Sequence, residues 1–346
     1  MNGMTKCSFL IAICSLVSNL NLVFSADAKS KPGSSQAAVT DPGTDGDGDF
    51  KIGPPYANAA ELKVKVGVPV GTIHEFTMKS EDSKVYPGLT GPYQRKVSVY
   101  IPKQYVAPEP APFIVVQDAM TSKDLPKILD NMIHERRLPV MIAIFIASGG
   151  GDGKGSERGL EYDTVSEKYA TFIESEVLPR IAKDYQVTFT RDPEGRAAMG
   201  GSSGGACAFT MGWFRPDLYR RILTYSGTFV DQQSPRNPAS PHGAWEYHEH
   251  LIPGSERKPL RVWMEVGEND NGAHRDEASL HNWVMANERM AAALKAKDYH
   301  YHYVFAQGAK HVDGNVVRQT LPEALLWLWR GYPSREADRK TNVTPR

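Results

Sequence analysis

Arg196-Ala-Ala-Met-Gly-Gly-Ser-Ser-Gly-Gly205 passes from a short apolar run straight into six small residues. Such a run suits a strand buried on both faces, and the glycines suit a turn too tight for larger side chains. A small-residue helix is predicted to start near Gly205. A serine hydroxyl is a poor nucleophile, and a strained strand-to-helix turn is one way to expose it. The helix N-terminus also supplies backbone N–H groups that stabilise an oxyanion. Residues 200–205 fit Gly-x-Ser-x-Gly twice, at Ser202 and at Ser203. Ser202 is preferred because it directly follows the apolar strand and its one-residue turn. The N–H of Ser203 then becomes an oxyanion donor.

Working outward, Lys96-Val-Ser-Val-Tyr-Ile101 alternates with period two, and Pro102 closes it. Phe113–Gln117 and Val140–Ala147 are continuous apolar runs of the kind found in parallel sheets. Helical spacing covers Leu125–Arg137 and Tyr169–Tyr185, the latter with a kink expected at Pro179. Leu260–Val266 precedes a helix predicted over 277–297, and Tyr301–Phe305 precedes one over 320–330. Strand and helix alternate throughout, which predicts a mostly parallel, doubly wound α/β sheet with helices on both faces, in one domain over residues 60–335.

In that topology the acid and base should follow the serine, each just past the C-terminal end of a later strand. Gly267-Glu-Asn-Asp270 follows one strand, and Asp270 is preferred over Glu268 and Asp276. Gln307-Gly-Ala-Lys-His311 follows the last. His274 and His281 precede that strand, and His300 and His302 lie at its start, so His311 is preferred. The roles are then set: His311 takes the proton of Ser202 and returns it to the leaving alcohol, while Asp270 fixes the imidazole tautomer. This chemistry requires neither metal nor cofactor.

These motifs resemble the putative esterase family of α/β-hydrolases, which includes enterochelin esterases, esterase D, feruloyl esterases and mycolyltransferases. The resemblance spans roughly residues 93–332. It implies a serine carboxylic-ester hydrolase acting on a small-molecule or carbohydrate ester. The other readings it leaves are acyl transfer of the mycolyltransferase type and a non-catalytic carbohydrate- or siderophore-binding relative. It further implies a second oxyanion N–H at Met120, in Gln117-Asp-Ala-Met120, where Ala119 replaces the family's usual Gly. Arg158 and Glu161 resemble the family's Arg-x-x-Glu element below the active-site mouth. Ser148–Gly155 reads as a mobile loop, and Trp245, Tyr247 and His248 could stack on a sugar or aromatic acyl group or pack locally.

Lys+Arg and Asp+Glu each total 40, and no basic stripe interleaves with aromatics, which argues against a nucleic-acid partner. Lys6 is followed by an apolar stretch, Cys7–Phe24, broken by Ser15, Ser18, Asn19 and Asn21. This reads as a signal peptide cleaved near Ser25 or Ala26, not a membrane anchor, and places the mature chain outside the cell or in the periplasm. Ile13 before Cys14 argues against lipidation. Cleavage would leave Cys207 as the one cysteine and thus no internal disulfide. Residues 26–59 read as a flexible leader and 336–346 as a polar tail. Asp45-Gly-Asp47-Gly-Asp49 resembles the start of a calcium loop, but Phe50 and Tyr56 stand where that loop needs Gly and Glu.

Overall fold

The computed structural model describes residues 41–333. The expected signal peptide, with Cys7 and Cys14, and the tail lie outside them. In chain order the strands are β1 (Gly48–Ile52), β2 (Thr72–Lys79), β3 (Gln94–Ile101), β4 (Pro110–Ala111), β5 (Phe113–Gln117), β6 (Ile142–Ile146), β7 (Thr188–Phe189), β8 (Arg196–Gly201), β9 (Arg221–Tyr225), β10 (Arg261–Asn269) and β11 (His300–Lys310). The helices are α1 (Leu125–His134), α2 (Glu157–Tyr162), α3 (Lys168–Phe172), α4 (Leu178–Tyr185), α5 (Ser203–Phe214), α6 (Ile252–Gly254), α7 (Trp283–Ala296) and α8 (Gly314–Trp329).

Nine strands form one sheet in the order β1-β11-β10-β9-β8-β5-β6-β3-β2, while β4 and β7 pair separately. From β1 to β6 every neighbour is parallel. Only the β6–β3 and β3–β2 pairings are antiparallel. The expected doubly wound α/β sheet is therefore present. The uninterrupted apolar run of β5 is fully buried because its residues alternate between two cores. Phe113 and Val115 pack on the side of α3, α4, α5 and α7, while Ile114 and Val116 pack on α1 and α8. Each such side chain contributes about 1.5–3 kcal/mol by leaving water.

The strand order reverses at β5, which lies between β6 and β8. At such a switch point the connections leave in opposite directions and open a crevice beyond the strand ends. Gln117 closes β5 and Gly201 closes β8, so the glycine turn lies beside that crevice.

Three elements differ from the sequence expectations. The stretch 26–59, expected to be a flexible leader, carries β1, which pairs with β11 along the sheet edge. Asp47 accepts from His300 Nδ1 (2.8 Å) and Trp327 Nε1 (3.2 Å), and Asp49 accepts from Tyr301 and Lys295. The carboxylates that suggested a calcium loop thus anchor this strand. The helical run from 168 to 185 contains a π-helical turn, Ile173–Val177, just before Pro179. The Leu178 N–H bonds five residues back to Ile173 O, a widened turn that suits a ring lacking its own N–H. Finally, α8 begins at Gly314, six residues before the sequence boundary, because Asp313 caps it through Asn315 N–H at 2.9 Å.

Candidate active site

The glycines of the turn are required by contact. A Cβ on Gly200 would lie 2.3 Å from the carbonyl carbon and oxygen of Gly204, and one on Gly205 would lie 3.2 Å from Gly200 O and Gly227 Cα. Strand and helix can approach this closely only without side chains there. Ser202 sits between them at φ 57°, ψ −130°, a conformation that a non-glycine residue rarely adopts. Ser202 N–H donates to Tyr225 O (2.9 Å) and its carbonyl accepts from Thr228 N–H (3.0 Å), which pins the turn against β9.

This conformation points the Ser202 side chain into a cleft of about 390 Å³ shared with His311, Arg158, Asp118, Met120 and Val312. Its Oγ lies 3.3 Å from Thr228 Oγ1, which in turn accepts from Trp283 Nε1. Ser203 points the other way: it is fully buried, and its Oγ accepts from Gln232 Nε2 at 3.2 Å. Its N–H belongs to the first turn of α5, where no intrahelical acceptor exists.

Asp270 is placed by a bulge where β10 passes β11 so closely that a Cβ on Gly267 would lie 2.6 Å from Ala309 O. Its side chain is buried, and Oδ1 accepts from His311 Nδ1 at 2.6 Å and from Asn271 N–H at 2.7 Å. The imidazole therefore offers Nε2 as an acceptor. Val312, at φ 46°, donates its N–H to Ser226 Oγ (2.9 Å), and Trp283 meets the His311 ring edge-on at 6.0 Å. Glu268, a rival for the acid position, instead accepts from Gly308 N–H at 2.7 Å.

The other expected site residues divide between the cleft and the core. The Met120 N–H, expected as an oxyanion donor, is bonded to Gln117 O at 3.1 Å. Asp118 and Ala119 both take left-handed backbone angles, and that conformation folds the loop back on itself. The Met120 side chain, in contrast, lines the cleft. Arg158 also lines it, held by two bonds to Asp118 Oδ2 (2.9 and 2.7 Å) and one to Asp152 (2.9 Å). Glu161 does not pair with Arg158. It is buried against Arg95 (3.0 and 2.6 Å) and accepts from Tyr93 and Gly149 N–H, which fastens the start of the loop expected to be mobile.

Trp245, Tyr247 and His248 are buried and pack locally, away from the cleft. Tyr247 packs among Phe209, Trp213 and Phe229 and bonds Thr210, while His248 packs edge-on to Trp245. Burial pushes the His248 imidazole down to about 4, so it is neutral at pH 7. The apolar residues that surround these rings come from distant segments, which the local sequence does not reveal.

Sequence reasoning missed Thr228, Trp283, Asp118 and Asp163. Asp163 is nearly wholly buried behind the elbow, where it accepts from Gln232 Nε2 at 3.0 Å. Burial pushes its carboxyl up to about 6, against the opposing effects of Gln232, Ser203 and Arg158. A separate, more apolar cavity of about 430 Å³ lies between residues 64–73 and α1 and shares no residue with the Ser202 cleft. No helix among the described residues is long and apolar enough to cross a membrane.

The family model described as putative esterase matches residues 92–328. The uncharacterized protein YbbA of Bacillus subtilis (strain 168) is 22% identical over 249 residues, 68% of this chain and 92% of its own. Among solved structures, the enterobactin esterase of Shigella flexneri aligns over 76% of this chain with 18% identity and TM-score 0.55. This chain spans 61% of that esterase. A ferulic acid esterase from the anaerobic fungus Anaeromyces mucronatus aligns over 80% of this chain and 98% of its own, with 16% identity and TM-score 0.57.

Proposed function

Because the chain belongs to the putative esterase family, we propose that it hydrolyses a carboxylic ester through an acyl-enzyme at Ser202. The observation that carries this reading is the opening of a strained serine into a cleft shared with an imidazole tied to a buried carboxylate. Ser202 Oγ turns from Thr228 toward His311 Nε2, gives up its proton there and attacks the ester carbonyl. Asp270 holds the Nδ1–H tautomer and stabilises the imidazolium. The oxyanion is stabilised by Ser203 N–H at the head of α5. His311 then protonates the leaving alcohol, and water activated by the same nitrogen releases the acid.

The substrate we propose is an ester whose acid part carries a phenolic ring, as do the ferulic acid and the 2,3-dihydroxy-N-benzoyl-glycine named with two structures of this fold. Met120 and Val312 offer apolar walls for the ring, and Arg158 offers N–H donors at the mouth. We also propose export directed by residues 1–25, which N-terminal sequencing of the cell-envelope fraction tests.

A fluorophosphonate probe should label the protein and fail on Ser202→Ala, whose kcat should fall by a factor on the order of 10⁴ or more. Ser203→Ala should keep most of its turnover, since only its N–H acts. Labelling that survives Ser202→Ala and vanishes in Ser203→Ala would transfer the nucleophile to Ser203. Turnover of feruloyl esters and a catecholate lactone, compared with acetyl esters of equal leaving group, tests the acyl class. A competing sugar acceptor in the same assay distinguishes hydrolysis from acyl transfer.

A further inference from the structure

The connection from β9 to β10 carries Thr228 at one end and the segment Pro241–Leu251 further on. Trp245 and Tyr247 turn inward from that segment. His242, Glu246, Glu249 and His250 remain, spaced four, three and one residue apart, so successive turns bring them together.

We propose that Glu246, Glu249 and His250 bind one divalent transition-metal ion, with His242, beside the other oxygen of Glu246, swinging in as fourth ligand on binding and Zn²⁺ the best match to the two imidazoles and two carboxylates. His250 Nδ1 lies 2.9 Å from Glu246 Oε2 and 3.7 Å from Glu249 Oε2. His242 Nδ1 lies 3.2 Å from Glu246 Oε1. Zinc bonds of about 2.0–2.2 Å put tetrahedral ligands about 3.3–3.6 Å apart, which these separations bracket. The Glu246, Glu249 and His250 ligand atoms all lie within 4.8 Å of one another.

Two further observations indicate a cation. The Glu246 side chain is 7% exposed, and its ion pairs among the described residues are both with histidines. No lysine or arginine balances it, and a buried carboxylate needs a positive partner. Moreover, the His242 Nδ1 atom is buried and makes no hydrogen bond, although it lies 3.2 Å from Glu246 Oε1. A metal supplies the missing charge and uses that lone pair. The imidazoles lose any Nδ1 proton to solvent on binding, and nothing is oxidised or reduced. The ion then clips the β9–β10 connection together, a fastening a disulfide cannot provide because the single cysteine among the described residues, Cys207, is free and buried.

The full chain, stripped with chelator, is titrated with ZnCl₂ by calorimetry and melted with and without the ion. The expected result is one Zn²⁺ per chain at micromolar or tighter Kd, with Tm raised by about 5 °C at saturation. Co²⁺ should give the visible absorption of a tetrahedral site. His250→Ala, at an exposed side chain that tolerates truncation, and Glu249→Gln should each weaken binding at least tenfold and leave p-nitrophenyl ester turnover intact. Binding only at millimolar concentration, or undiminished in His250→Ala, overturns the proposal. Glu246→Gln that folds and still binds Zn²⁺ as the unaltered chain does also overturns it.

Discussion

Ser203 shows how a side chain next to the proposed nucleophile can hold the turn while its own hydroxyl faces away from the cleft. Its hydroxyl, Gln232 and Asp163 form a buried polar cluster behind the elbow. The sign of the resulting pH dependence follows from the raised carboxyl. Between the ordinary Asp value and about 6 the folded chain holds a proton that the unfolded chain has lost, so stability falls as pH rises through that window. Asp163→Asn keeps an acceptor for Gln232 and removes the titration. It should stabilise the protein by on the order of 2–3 kcal/mol at pH 7 and by almost nothing at pH 3.5, measured by urea melts at both. Equal effects at both pH values would mean that Asp163 does not titrate there. At this scale the placement of Ser202 on the turn and of Asp270 against His311 was legible, since each follows a readable strand end. Thr228 and Asp163 were not, because each acquires its meaning from a partner a long way off in sequence, Ser202 for one and Gln232 for the other.

Among elements, the apolar strands could be read because both of their faces are covered, which removes any alternation. β1 could not, because its Gly- and Asp-rich sequence has the composition of a linker, and its order comes from partners on β11, α7 and α8. Asp47 is the main anchor. It accepts from Trp327 and lies 3.9 Å from Arg261, whose guanidinium stacks on Trp327 and is pushed down to about 10 by burial. Asp47→Ala should cost about 1–3 kcal/mol and release β1 first, seen as faster amide exchange at residues 48–52 than in β10. At the elbow, Gly200→Ala drives a methyl into the Gly204 carbonyl, contact that no rotamer relieves. It should abolish turnover even where the far-ultraviolet circular dichroism of the fold is retained.

For the molecule as a whole, the parallel sheet gathers acids near the site. Glu265, on β10, is wholly buried with neither carboxylate oxygen hydrogen-bonded. Burial first, then the charges of Asp270 and Asp313, push its carboxyl well above the usual range. The sign is that of Asp163: the folded chain keeps a proton that the unfolded one releases above the ordinary Glu value, so stability declines as pH rises past about 4.5. The burial of Glu265 beside Asp270 therefore contributes a penalty to folding that is larger near neutrality than in mild acid. Glu265→Gln removes this contribution while leaving Asp270 and His311 in place. Any fixed packing cost of the amide shifts its melting curve equally at every pH, so the informative quantity is the slope. Between pH 4.5 and 8 the Tm of the unaltered protein should fall relative to Glu265→Gln by several degrees, read by calorimetry at constant ionic strength. Parallel slopes would mean that Glu265 is ionised in the folded state and that a cation or water lies beside it.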